Sequence, residues 1–395
     1  MYAQPFYHSV RVTSKRRRLL TNCSNVLFYR GHATKKPFDI LFFGRDEFSC
    51  NVFKKLYDAR DVWQSISIAT NPDVKTGRRG SHLSISPLKL LGESLEVPVH
   101  TIPPRKVDFR GWMVRLTFVL AELVPCSTQP PPPFTNINEA HPSVPQTHLL
   151  VTASFGRILR PSLLRLFPPG QRLNVHPSLL PAYRGPAPIQ RALMRGERET
   201  GVCVIDMMEK KEGIDAGSVW SCESMVVPKN ATFPSLSVEL ARTGGDVLVT
   251  VLRDMMLGEA CSTPQLPVTS TTPHAPAISA SDAQVDFTSQ TASDMVRLSR
   301  AISHQRPITT TMPDGRALQL HDVSVCGRHH DLGLAEPGWA VYSPHTRTVH
   351  MSCADGEWLS VLKLKTQDRA LLAAKEWWNG VKGLGLLDGG MLRLR

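Results

Sequence analysis

Four short, largely apolar runs constrain this chain more than any other feature. They are Asp39–Phe43, Ser65–Thr70, His148–Ser154 and Leu173–His176. Each ends at a breaker: Gly44, Pro72-Asp73, Phe155-Gly156 and Pro177. Runs this short suit strands buried on both faces, which is the condition of a parallel sheet. Between the first two, Glu47–Leu56 carries apolar residues at helical spacing. Strands alternating with helical stretches predict an α/β, doubly wound, mostly parallel, Rossmann-like domain over residues 37–257. Ligands of such sheets bind beyond the carboxyl ends of the strands.

The texture changes after Gly258. Residues 258–281 are rich in Pro, Thr, Ser and Ala, as a linker is. Beyond them, Leu318–Leu320, Trp339–Tyr342 and Trp358–Val361 are short alternating runs punctuated by Gly and Pro, and they predict a small β-rich, barrel-like domain over 282–395. Residues 113–147 fit neither pattern. They contain four consecutive prolines, Pro130–Pro133, and read either as an exposed, disordered insertion or as an artefact of gene prediction.

Charge is unevenly spread. The formal net charge is +12, yet Arg11, Lys15, Arg16, Arg17, Arg18, Arg30, Lys35 and Lys36 supply 8 of it within residues 1–36, where no acid occurs. The remainder carries 12 − 8 = +4, so overall basicity does not argue for a nucleic-acid partner. An Arg-rich, acid-free start containing Ser and Thr reads as a mitochondrial presequence; a basic, solvated arm is the alternative. No run of 18 apolar residues occurs, so no membrane partner is expected. The eight cysteines (Cys23, Cys50, Cys126, Cys203, Cys222, Cys261, Cys326 and Cys353) form no Cys-x-x-Cys pair and read as free thiols in a reducing compartment. The adjacent pair His329-His330 lacks metal-ligand spacing and reads as surface.

Three segments carry candidate chemistry. In Leu173–Pro181 a strand breaks at a proline, and Asn174 and His176 alternate by two, so both side chains share one face. An amide beside an imidazole can stabilise an oxyanion; a turn-capping Asn beside a surface His fits the same pattern. In Gly213–Gly217 one carboxylate, Asp215, stands among glycines on a loop free to take unusual backbone angles. It can accept a proton or orient a His, and it can equally be a plain Asx-turn. In Arg184–Leu193 a loop leads into a helix starting near Pro188, and Arg184 with that helix end can receive an anion or simply make a rigid turn.

These segments together resemble the methionyl-tRNA formyltransferase family. The shared pattern is Asn-x-His-x-Ser-Leu-Leu-Pro from Asn174, Arg-Gly-x-Ala-Pro-Ile-Gln from Arg184, Thr200-Gly201-Val202, and Asp215-Ala216-Gly217. The resemblance runs from Asp39 to about Leu372 and includes Leu41–Gly44 with Phe48, Ala153–Gly156 and Ala283–Phe287. It implies Asn174, His176 and Asp215 as the catalytic trio, with 10-formyltetrahydrofolate as formyl donor, no metal, and the α-amine of initiator methionyl-tRNA as acceptor. Asn174 and His176 would hold the oxyanion, while Asp215 would orient His176 and take or relay the amine proton. Ser178, Leu179, Leu180, Pro181 and Phe48 are implied at the folate and substrate site. Lys75, Arg78 and Arg79 are implied as tRNA contacts on the basic, glycine-flanked loop Asp73–Gly80, which also reads as a solvated charge run. The resemblance further implies a monomer in the mitochondrial matrix with a tRNA-binding second domain.

Two departures stand out. Met208–Glu212 is about three residues longer than in bacterial members. The second domain carries 13 Lys and Arg against 12 Asp and Glu, where a basic domain was expected. The competing readings are a formyltransferase of a small amine and a folate- or RNA-binding protein without catalysis.

Overall fold

The structure is a computed structural model, and it describes residues 29–30, 36–76, 81–103, 145–327 and 336–394. The expected presequence, the 113–147 insertion up to residue 144, and His329-His330 lie outside the described residues, apart from positions 29–30 and 36. Contacts divide the chain into two compact units.

The first unit draws on residues 1–185, 199–226 and 237–273. Its sheet contains β1 (Phe38–Phe43), β2 (Trp63–Thr70), β3 (Val99–Thr101), β4 (His148–Ala153), β5 (Arg172–His176), β6 (Glu199–Asp206) and β7 (Val219–Val226). The strand order is β7-β6-β5-β4-β1-β2-β3. From β3 to β5 every neighbouring pair is parallel, whereas β6 and β7 run antiparallel. All four expected strands are present, and every residue of β1 and β4 is buried, which explains their unalternating apolar character.

Local chemistry sets the turn from β1 into helix α1 (Glu47–Asp58). Asp46 Oδ1 accepts from the Ser49 backbone N–H (3.1 Å), and Ser49 Oγ accepts from the Asp46 N–H (2.9 Å), closing a capping box. Gly44 is required just before it, because a Cβ there would stand 2.5 Å from Ser49 Cβ and 2.8 Å from Leu88 Cδ2.

Register sorts the two faces of the sheet. Leu41 and Phe43 pair with Leu150 and Thr152, which pair in turn with Arg172 and Asn174. The apolar members of this face pack with Ala69, Ile102, Phe155, Leu163 and Phe167, and Phe43 meets Phe155 edge-to-face at 5.0 Å. Near the carboxyl ends the same face turns polar, at Thr152, Asn174 and His176. The opposite face of β5 presents Val175 to the long helix α5 (Phe233–Leu257), where Gly244 fits against Val175 and Val202. Helices α2 (Pro87–Ser94) and α3 (Pro161–Leu164) complete the described helices of this unit.

Residues 258–273 are tied to the first unit. Tyr29–Arg30 pair antiparallel with Cys261–Ser262, Thr263 exchanges backbone hydrogen bonds with Val219, and Tyr183 N donates to Pro273 O. Low-propensity residues thus trace a bonded path here, a distinction that composition does not reveal.

The second unit draws on residues 186–198, 227–236 and 274–395. Its antiparallel half-barrel sheet has strands β8 (Ile308–Thr311), β9 (Ala317–Cys326), β10 (Trp339–Ser343), β11 (Thr348–Ser352), β12 (Trp358–Thr366) and β13 (Leu392–Arg393), in the order β8-β9-β12-β11-β10-β13. The three expected alternating runs fall in β9, β10 and β12. Helix α4 (Pro188–Arg195) packs on α6 (Ala292–Ile302), and α7 (Ala374–Gly383) packs on the sheet. Arg191 forks onto Asp282 (2.6 and 2.9 Å), and this hydrogen bonding holds the Asp282 carboxyl down to about 2.

Gly244→Ala tests the α5–β5 contact. In a free helix interior the change would gain about 1 kcal/mol of propensity. Here the new Cβ would lie 2.7 Å from Val175 Cγ1 and 2.9 Å from Val202 Cγ2, both on β-branched side chains with little rotamer freedom. Overpacking costs about 1–3 kcal/mol, so a net loss of stability is expected in a urea melt. A stabilised variant would mean that the helix sits farther from the sheet.

Candidate active site

The site grows from the carboxyl end of β5. Asn174 is half-buried and His176 buried, and their two-residue spacing puts them on one face. Thr152 lies beside Asn174 in register on β4, and its Oγ1 donates to Asn174 Oδ1 at 2.6 Å. A carboxamide oxygen can only accept, so the Thr152 hydroxyl donates here, and Nδ2 is the end of the amide that this contact does not use.

His176 is fixed just as definitely. Its Nε2 lies 3.0 Å from the Tyr183 carbonyl oxygen, which only accepts, so Nε2 carries a proton. Nδ1 is therefore the ring atom that can gain or lose one. It lies 3.6 Å from Asp215 Oδ2, close enough to pair electrostatically but longer than a hydrogen bond. Both side chains are largely enclosed, with 5% of His176 and 16% of Asp215 exposed, so solvent screens the pair weakly.

Residues 177–183 form the turn that delivers the Tyr183 carbonyl. Ser178 N donates to His176 O (2.9 Å), Ser178 Oγ to Ala182 O (2.7 Å), and Ala182 N to Leu179 O (3.2 Å). Ser178 is buried and spent on this turn, while Leu179, Leu180 and Pro181 are half-buried, with a cis Leu180–Pro181 peptide. The Leu179 side chain fits against Gly201, where a Cβ would stand 2.5 Å from Leu179 Cδ2.

Asp215 sits on a loop with left-handed backbone (φ +54°). The Gly185 N–H donates to its Oδ2 at 3.0 Å. Gln265 Nε2 donates to the Asp215 and Gly217 carbonyls at 2.7 and 2.8 Å. Its Oε1 accepts from Arg184 Nε and Nη2 at 2.9 and 2.5 Å. Arg184 thus spends two donors on Gln265, where sequence had suggested an anion. Burial lowers the Arg184 guanidinium pKa, and the Asp215 carboxylate opposes that shift. Gly217 passes so close to β6 that a Cβ would stand 1.9 Å from Asp206 O. Asp206 itself is buried, which raises its carboxyl pKa; the Gly170 N–H at 2.7 Å works the other way.

Met208–Glu212 forms a short 3-10 turn at Lys210–Glu212, anchored where Arg165 donates to both carboxylate oxygens of Glu209 (2.7 and 3.3 Å). The other expected site residues lie apart from the trio's contacts. Phe48 is buried in the first turn of α1. Lys75 is exposed on the two-stranded hairpin Val74–Thr76/His82–Ser84, and Arg78 and Arg79 lie outside the described residues. Sequence reasoning missed Thr152, Tyr183 and Gln265. Thr152 had one available signal, a lone hydroxyl near the end of an apolar strand; the other two had none.

Two family models match the chain: "Formyl transferase" over residues 132–252 and "Formyl transferase, C-terminal domain" over residues 277–382. The methionyl-tRNA formyltransferase of Myxococcus xanthus (strain DK1622) is 30% identical over 343 residues, covering 87% of this chain and 95% of that one. The chain belongs to the methionyl-tRNA formyltransferase family. The mitochondrial methionyl-tRNA formyltransferase of Rattus norvegicus is 29% identical over 88% of this chain and 79% of its own length. Among solved structures, HypX from Aquifex aeolicus in complex with tetrahydrofolic acid shares the fold at a TM-score of 0.52. It is 16% identical, and the match covers 87% of this chain and 48% of that one. Family membership makes the chain a one-carbon transferase and fits the two-unit architecture.

Thr152→Val tests the amide lock. The swap keeps shape and removes one hydrogen bond, for a stability cost of about 1 kcal/mol. Turnover is expected to fall by roughly tenfold, because Asn174 can then present its oxygen to the site. Single-turnover formylation alongside a thermal melt would separate the two effects; an unchanged rate would remove Thr152 from the site.

Proposed function

We propose that this chain transfers the formyl group of 10-formyltetrahydrofolate to the α-amine of initiator methionyl-tRNA, giving N-formylmethionyl-tRNA for mitochondrial translation. The observation that carries this reading is the joint arrangement of the trio: Thr152 holds Asn174 by its Oδ1, Tyr183 O holds His176 by its Nε2, and Asp215 faces the His176 Nδ1 at 3.6 Å. Acyl transfer to an amine develops negative charge on the carbonyl oxygen and positive charge on the nitrogen. The donor set fits the first need and the carboxylate fits the second.

When bound, 10-formyltetrahydrofolate supplies an activated formyl carbon. Asn174 Nδ2 and a protonated His176 Nδ1 donate to the oxygen of that group as the amine attacks. Asp215 balances the imidazolium and accepts the amine proton, directly or through water; as the new C–N bond forms, the bond from the formyl carbon to N10 of the folate breaks and that proton passes to the departing nitrogen. The turn Ser178–Pro181 closes the site around His176, and its half-buried Leu179, Leu180 and Pro181 offer apolar surface to the folate. Phe48 supports the methionyl side from within α1. No residue in this scheme requires a metal.

The tRNA is engaged by Lys75, Arg78 and Arg79, cations suited to phosphates. The second unit contributes its own tRNA contacts, and the chain acts as a monomer in the mitochondrial matrix. Residues 1–36 serve as the presequence; the acid-free cluster of eight cations supports this, as does the likeness to mitochondrial relatives.

The direct test is incubation of the protein with methionyl-tRNA and 10-formyltetrahydrofolate, assayed for formylmethionyl-tRNA. No product from folded protein would sink the reading. Asp215→Asn is expected to fold normally and to lower kcat by roughly 10²–10⁴-fold, the usual range for an acid–base group. Arg78→Ala is expected to raise the KM for methionyl-tRNA while folate binding, measured by fluorescence titration, stays unchanged. Equal effects on both ligands would return the basic loop to solvent.

A further inference from the structure

We propose that Gln265 is a positioning residue that sets the Asp215 carboxylate against His176. The proposal rests on the reading of Asp215 as part of the catalytic set.

Three observations support it. First, the side chain of Gln265 is fully used: Nε2 donates to Asp215 O (2.7 Å) and Gly217 O (2.8 Å), and Oε1 accepts twice from Arg184. A carboxamide offers two donor hydrogens and one oxygen with two lone pairs, so no capacity is left for another role. Second, the two groups it joins are the two sides of the Asp215 mount. Arg184 directly precedes Gly185, whose N–H holds Asp215 Oδ2 at 3.0 Å. The Asp215 and Gly217 carbonyls belong to the loop carrying that carboxylate. Gln265 therefore fixes the distance between the carboxylate's backbone and the N–H that grips its oxygen.

Third, the loop needs such a brace. Asp215 has φ +54° and Gly213 φ +111°. A non-glycine residue in the left-handed region costs free energy and persists where its surroundings over-determine it. The loop cannot relax toward β6, since Gly217 already approaches Asp206 O too closely for a Cβ. Without the two carbonyl contacts, rotation about the Asp215 backbone would swing the carboxylate away from Nδ1. A displacement of about 1 Å at a reacting group can cost up to 10²-fold in rate.

The test is a double-mutant cycle on the full chain, read as single-turnover formylation of methionyl-tRNA with enzyme in excess. Gln265→Ala alone should lower the formylation rate by about tenfold or more, with the KM for methionyl-tRNA in steady-state runs within about twofold. In an Asp215→Asn background the same change should cost less than about twofold, because the carboxylate it positions is already gone. A merely structural brace would cost the same factor in both backgrounds, and that additivity would overturn the proposal, as would a native rate in Gln265→Ala. Should Gln265→Ala fail to fold, Gln265→Glu is read in its place. It keeps the size and the acceptors for Arg184 but turns an oxygen toward the two carbonyls, and the same non-additive loss is expected. Native protein that makes no formylmethionyl-tRNA, or an Asp215→Asn variant with the native rate, would instead defeat the underlying reading, and the proposal would fall with it.

Discussion

The parallel register of β4 against β5 is the constraint on which the site depends. It pairs Thr152 with Asn174, and by alternation sends Asn174 and His176 to the face that also carries Leu41, Phe43 and Leu150. A slip of one residue would exchange these for Val175 and drive two polar groups against α5. The packing on both sides forbids that slip. Val175 and Val202 fill the space that Gly244 leaves open, while Phe43, Phe155 and Phe167 fill the other face. An apolar core thus sets the aim of a polar site without touching the reacting groups.

A second layer of control comes from groups with only one hydrogen-bonding role. A carbonyl oxygen cannot donate, so Tyr183 O dictates the proton on His176 Nε2 and Asn174 Oδ1 dictates the direction of the Thr152 hydroxyl. Asn174 Nδ2 and His176 Nδ1 are the nitrogens that these two bonds do not use. Preorganisation of this kind costs little at the moment of reaction, since the donors are oriented before any ligand arrives.

Much of this was legible in the sequence, and the rest was hidden for physical reasons. The strands at 38–43, 63–70, 148–153 and 172–176 announce themselves because burial on both faces favours short, largely apolar runs. Asn174, His176 and Asp215 could be named because they stand beside breakers, Pro177 and two glycines, which mark strand ends and strained loops. Gln265 could not. It meets Asp215 across fifty residues, from a stretch whose Pro, Thr and Ser content reads as a tether, and side-chain bonds to backbone carbonyls leave no compositional trace. The two units alternate along the chain for a similar reason: 186–198 joins the second through helix packing and an Arg191–Asp282 fork, and 227–236 through the stack of Phe233 on His304, none of which periodicity encodes.

The two aspartates at the end of the sheet are held in different ways. Asp206 ends β6, its carboxyl is buried and bound to the Gly170 N–H, and its carbonyl is pressed against Gly217. Burial biases it toward the neutral form and ties it to structure. Asp215 stands on a loop rather than a strand, and the Gly185 N–H donates to its Oδ2. An acid on a loop is versatile but needs external bracing to be precise. The fold braces that loop from two directions, through the glycine that abuts β6 and the amide that reaches in from residue 265, at the point where Asp215 faces His176.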